Sequence, residues 1–101
     1  MIEEVIWAEA RSETDEGKRA VAHVVLNHVK SGRFPSTLMG VINQRSQFVR
    51  GRGSGTLWED CLRIAANPGS DPTNGALFFA NYRAWPRKKF HCQIGNHYFY
   101  S

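Results

Sequence analysis

Between Gly17 and Lys30 the chain carries Ala20, Val21, Ala22, Val24, Val25, Leu26 and Val29, which at the α-helical period cover most of a helix circumference. Only Arg19, His23, Asn27 and Lys30 fall on a remaining polar strip. A helix of this kind is buried on nearly all sides, so the rest of the fold must wrap around it. Thr14 is placed to cap it, and Asp15 and Glu16 fall in its first turn, where the helix dipole favours anions. Gly32 suits the left-handed residue that follows its end near Lys30.

The other elements are shorter. Residues Ile2 to Arg11 read as a helix with Ile2, Val5, Ile6 and Glu9 on one stripe at i, i+3, i+4 and i+7. Phe34-Pro35-Ser36 is a turn into a short helix from about Thr37 to Ile42. The polar, glycine-rich stretch from Asn43 to Gly55 reads as a mobile surface loop. Thr56 followed by Glu59 fits a capping box for a third main helix, with Leu57, Cys61, Ile64 and Ala65 on one face and Asn67-Pro68-Gly69 as its stop. Ala76 to Ala80 and Ile94 to Tyr100 are short, aromatic-rich segments bounded by turn residues and read as small strands or extended segments. The pattern predicts a mostly α, α+β fold with about three main helices and a small β-element near the C-terminus. At 101 residues a single domain over 1–101 is expected, since domains commonly run to about 100–150 residues.

A net charge of +4 and a sequence pI near 9.4 point to an anionic partner: nucleic acid, a membrane surface or an acidic cell-wall polymer. The richest apolar run, Ala20 to Leu26, is interrupted by His23 and falls short of the roughly 18 residues of a membrane span, so a soluble protein is expected. Met1-Ile2-Glu3-Glu4 is no secretory signal. Cys61 and Cys92 are too few for a disulfide framework and are expected to be buried free thiols. His91-Cys92 and His97, with His23 and His28 elsewhere, fit no closed zinc spacing, and no metal or cofactor is expected.

Glu9 is the most informative residue. A carboxylate on an otherwise apolar stripe is unfavourable unless it is paired, hydrogen-bonded or protonated. Desolvation raises a carboxyl pKa, which suits a general acid that donates a proton to a leaving oxygen. The competing reading pairs Glu9 with Arg11 or Arg19 at the core edge. Glu13, one turn on, makes an acid/base or metal-ligand pair possible, although carboxylates near a helix end are more often simply solvated. Arg45, Gln47, Phe48, Arg50, Gly51, Arg52 and Gly53 mix arginine, glycine and an aromatic as single-strand nucleic-acid binders do, which keeps a nucleic-acid module as a distant rival.

The block Ala8-Glu9-Ala10-Arg11-Ser12-Glu13, followed by Gly17-Lys18-Arg19-Ala20-Val21-Ala22-His23-Val24-Val25-Leu26-Asn27, resembles the opening of the SleB/CwlJ-type cell wall hydrolases. Phe34 to Thr37, Gln47-Phe48, Asp71 to Asn81 and Ile94 to Tyr100 match further blocks of that family in the same order. The chain departs from the family pattern at Ser12, Thr14 and His28. The resemblance implies a lysozyme-like domain acting on the β-1,4 bond between N-acetylmuramic acid and N-acetylglucosamine, with Glu9 as the catalytic acid. It implies lytic transglycosylation, which needs no second carboxylate; a hydrolytic muramidase needs one, with Glu13, Asp15, Asp60 and Asp71 as loose candidates. A non-catalytic peptidoglycan-binding domain is a further alternative.

The same resemblance suggests substrate-binding roles for Glu13, Gln47, Phe48, Phe79, Asn81, His97 and Tyr100. Aromatic rings cover the apolar faces of pyranoses, and fixed amides orient N-acetyl groups. The competing assignment puts Phe48, Phe78 and Phe79 in the core, and strand alternation sends the last two to opposite faces. The expected partner is a peptidoglycan glycan strand bound by a monomer, with neither nucleic acid nor membrane involved. Without a signal, the expected setting is the bacterial cell wall, reached as a phage lysin, as part of a virion, or from the cytoplasm on release.

Overall fold

The structure, a computed structural model, describes residues 1–44, 47–83 and 85–101. It comprises α1 (Ile2–Ala10), α2 (Asp15–Lys30), α3 (Leu38–Ile42), α4 (Gly55–Ala66), β1 (Phe78–Ala80), β2 (Phe90–Ile94) and β3 (His97–Tyr100). The strands form one antiparallel sheet in the order β1-β3-β2. The mostly α, α+β class read from the sequence is the class found. Among the described residues no helix is long and apolar enough to cross a membrane.

α2 is the axle. The Thr14 hydroxyl caps it by accepting from the Gly17 N–H at 3.2 Å, as its sequence position predicts. One side of α2, through Val21, Ala22 and Val25, packs with Val5, Ile6 and Ala10 of α1, Val41 and Ile42 of α3, and Cys61 and Ile64 of α4. Its other side, through Ala20 and Val24, packs with Ala76, Ile94 and Phe99 under the sheet. The polar strip is covered as well. The His23 ring Nε2 is 2.8 Å from the Gly69 carbonyl, and Asn27 donates to Asp71 at 3.0 Å and to the Ala76 carbonyl at 2.9 Å. Helix core, sheet core and the connecting loop therefore all take their position from one helix.

Three expectations need correction. α4 starts at Gly55, with Ser54 at its cap position and no side-chain cap bond, so Thr56 lies inside the helix and forms no capping box. The chain enters through Gly55 at φ +77°, a backbone state that glycine adopts without strain, and this sets the entry without help from Thr56. Ile94 to Tyr100 is not one strand: Gly95, at φ +57°, and Asn96 turn the chain between β2 and β3. β2 reaches back to Phe90 through an irregularity between Phe90 and Cys92 that blurs its alternation. Both cysteines are free, but only Cys61 is buried; Cys92 is half-buried.

Asp71 fixes the loop that joins α4 to β1. Its carboxylate accepts from the Thr73 N–H at 2.8 Å, the Thr73 hydroxyl at 2.7 Å, the Gly75 N–H at 2.9 Å and Asn27. Burial pushes its pKa up, but these hydrogen bonds outweigh burial and leave it below the ordinary value. A depressed pKa contributes stability above the unfolded-state pKa, and that stability is lost as pH falls through the folded-state value. Asp71→Ala is expected to cost about 1–2 kcal/mol at neutral pH, the lower end for charged hydrogen bonds because water reaches the carboxylate. Urea unfolding at pH 7 and near pH 3 checks this: the gap between variant and parent should narrow at the lower pH.

Candidate active site

The apolar stripe of α1 delivers Glu9 to a groove. Ile2, Val5 and Ile6 are buried against α2 and α4, and Glu9, one turn further along the stripe, is half-buried where that core gives way to open space. Two hollows meet there. One, of about 370 Å³, is lined by Glu9, Gln47, Phe48 and Phe79, together with His28 and Trp85 among others. The second, of about 380 Å³, is lined by Ala8, Glu9, Phe79, Ala80, Asn81 and His97. Glu9 and Phe79 belong to both, so the hollows form one groove that passes across the carboxyl group.

Burial is the main influence on that carboxyl. It holds the Glu9 pKa above the ordinary glutamate value of 4.5, and an opposing hydrogen bond from the Val49 N–H does not cancel it. The competing pairing with Arg11 or Arg19 is not formed: among the described residues no ion pair involves Glu9, and Arg11 donates to the Trp7 carbonyl at 3.1 Å and lies over the Trp7 ring. A half-buried carboxyl biased toward its protonated form and open to a groove can give a proton to a bound oxygen and take one back.

Gln47, Phe48, Phe79, Asn81 and His97 are therefore brought together with Glu9. Phe79 meets the buried His97 ring edge-on at 5.1 Å, while Phe78 lies edge-on to His28, Phe34 and Trp85, yet both phenylalanines line the first hollow, so strand alternation does not remove Phe78 from the groove. Burial lowers the His97 pKa, against the influence of Glu13, and leaves a neutral ring at physiological pH. Glu13 is not among the residues lining the two hollows, although it is near enough to act on His97. Its carboxylate accepts from the Asn96 N–H and side-chain amide, each at 3.0 Å, and so ties the α1–α2 turn to the β2–β3 turn. Burial raises its pKa, but the Asn96 hydrogen bonds outweigh burial and the net shift is downward. Tyr100 is buried at 1% exposure, packs edge-on to Trp85 at 5.2 Å, and borders a separate hollow beyond the groove. Arg45, part of the arginine and glycine stretch, lies outside the described residues.

Sequence reasoning missed His28, Trp85, Lys88 and the Val49 N–H. His28 is fully buried, donates through Nε2 to the Leu77 carbonyl at 2.5 Å and stacks on Phe34 at 3.8 Å. Desolvation lowers its pKa, so it enters the groove wall as a neutral ring. Its signal was present, since it follows Asn27 directly on the axle helix. Trp85 and Lys88 lie in a stretch with no period to read, and a backbone N–H leaves no mark in a sequence.

With this geometry in place, comparison with known proteins gives a consistent result. Residues 12–100 match the family model described as Cell Wall Hydrolase, a span that begins just beyond Glu9. A spore cortex-lytic enzyme of Oceanobacillus iheyensis is 37% identical over 93% of this chain and 38% of its own length. The chain thus spans about two fifths of that curated relative. The crystal structure of the catalytic domain of the Bacillus cereus SleB protein superposes with a TM-score of 0.78 at 28% identity, over 99% of this chain and 86% of that one. The catalytic domain of the germination-specific lytic transglycosylase SleB from Bacillus anthracis gives 0.77 at 31% identity, over 100% and 90%. Both superpositions take in α1.

The loop carrying Val49 is held against α1 by contacts that need glycine. The Gly51 N–H donates to the Glu4 carbonyl at 3.1 Å, Arg52 pairs with Glu4 at 3.4 Å, and the Trp7 indole lies on Gly53. A methyl group at Gly53 would sit 2.3 Å from ring carbons of Trp7, whereas at Gly51 the nearest ring atom is 3.3 Å away. Gly53→Ala is expected to cost about 1–3 kcal/mol through overpacking, and Gly51→Ala clearly less. Thermal unfolding of the two variants beside the parent checks the order.

Proposed function

The chain belongs to the cell wall hydrolase family, and on that premise we propose that it cleaves the β-1,4 bond between N-acetylmuramic acid and N-acetylglucosamine in peptidoglycan as a lytic transglycosylase. The observation that carries the proposal is that Glu9 is the one carboxylate among the described residues lining the two groove hollows. A glycosidase that uses water normally flanks the bond with two carboxyl groups, whereas a transglycosylase takes its nucleophile from the sugar. The family likeness and the single groove acid support the same reaction.

In this reaction the protonated Glu9 gives its proton to the glycosidic oxygen as the bond from that oxygen to the muramoyl C1 breaks. The departing N-acetylglucosamine keeps the new hydroxyl. Glu9, now a carboxylate, takes the proton of the muramoyl C6 hydroxyl as its oxygen bonds to C1 and closes a 1,6-anhydro ring. No water is consumed, and Glu9 ends protonated for the next cycle. Phe48 and Phe79 offer faces to the sugar rings, and Gln47 and Asn81 offer amides to the N-acetyl groups. The net charge of +4 favours approach to an anionic wall.

Mass spectrometry of the products of purified cell walls tests the proposal. Muramoyl ends in the 1,6-anhydro form are expected; products that are all heavier by one water would establish hydrolysis instead. Glu9→Gln should lower turnover by at least about 100-fold, the usual scale for loss of a general acid, while wall binding in a pull-down persists. Activity equal to the parent would remove Glu9 from the mechanism. The first step needs the protonated acid, so the rate should fall as pH rises through the elevated Glu9 pKa.

A further inference from the structure

Beyond Trp85 the surface sinks into a third hollow, of about 380 Å³, lined by Arg83, Trp85, Pro86, Lys88, Phe90 and Tyr100. It shares Trp85 and Lys88 with the hollow that contains Glu9, so the two hollows adjoin at these side chains. Its lining offers two cations and no acid. The Arg83 guanidinium lies over the Phe90 ring at 4.4 Å, and the Lys88 ammonium lies over the Phe78 ring at 3.9 Å. Among the described residues Arg63 pairs with Asp15 and Asp60 and Arg52 with Glu4, whereas Arg11 and Arg33, like Arg83, lie over aromatic rings. Among the described residues neither Arg83 nor Lys88 has a carboxylate partner, and the exposed Arg87 and Lys89 add to the same positive field.

We infer that this hollow is a subsite for the peptide stem on a muramoyl residue of the bound strand, with Arg83 and Lys88 receiving a stem carboxylate. The inference rests on the peptidoglycan reading above and deepens it. The stem leaves the sugar from its lactyl ether, to the side of the glycan, so a strand in the Glu9 groove needs a lateral outlet for it. The hollow supplies one, with aromatic walls for the aliphatic part of the stem and cations for its acid groups. Guanidinium and carboxylate match in geometry and charge, and rings that hold the cations from below leave their donors free. A wall phosphate would satisfy the charge, but the position of this hollow beside the Glu9 hollow favours an anion that branches from the strand itself.

The test compares kcat/KM on peptide-bearing glycan strands and on strands stripped by an amidase, for the parent, Arg83→Ala and Arg83→Lys. The parent should favour peptide-bearing strands by about five- to tenfold, the scale of one partly exposed charged hydrogen bond. Arg83→Ala should bring the ratio near one, and Arg83→Lys should keep much of the preference. An equal rate on both strands in the parent, or an unchanged ratio in Arg83→Ala, would overturn the subsite. A second measurement is independent of cleavage: a soluble muramoyl peptide titrated against the parent should shift the Trp85 indole resonance and should do so much less in Arg83→Ala. If no strand is cleaved, the lytic reading falls while this titration still decides the subsite. A glycerol phosphate oligomer that binds there more tightly than the muramoyl peptide would also overturn it.

Discussion

Everything about the groove depends on the half-burial of one carboxyl group. Glu9 ends an apolar stripe whose earlier members, Ile2, Val5 and Ile6, are locked into the helical core, so the helix that packs them cannot withdraw Glu9 into solvent. The cost of holding a carboxylate there falls on the ionised form, which raises its pKa. An acid whose ionised form is disfavoured in this way beside an open groove suits general acid chemistry. The Val49 N–H moderates the effect, and Trp7, Gly51 and Gly53 hold the loop that carries it.

The core beneath the groove was legible because α2 leaves so few alternatives. A helix apolar around most of its circumference needs neighbours on every side, and both core clusters are built from its two faces. Its polar strip is covered as well, because His23 and Asn27 carry the loop that leads to β1. Glu9 was legible for the same reason: a charge in an apolar stripe is a conflict that packing alone does not resolve.

What the sequence concealed was determined by backbone and by long-range placement. The start of α4 follows from the left-handed Gly55, not from the Thr56 hydroxyl. The β2–β3 hairpin hid inside an aromatic run because Gly95 and Asn96 make a short turn there. Glu13 shared the Glu9 stripe on a helical wheel, yet the helix ends at Ala10, and the chain carries Glu13 to Asn96 on a distant turn. Periodicity is lost beyond a helix end, and the wheel gave no warning of it. Trp85 and Lys88 join the groove wall from an irregular segment whose position depends on the finished sheet.

The central claim, that burial prepares Glu9 to act as an acid, is most directly tested by following the glutamate side-chain carboxyl carbons by NMR across a pH titration of the unliganded protein. The account expects Glu9 to titrate above the ordinary glutamate value and Glu13 below it. A Glu9 that titrates at or below Glu13 would contradict it, because the groove would then hold a carboxylate with no proton to give.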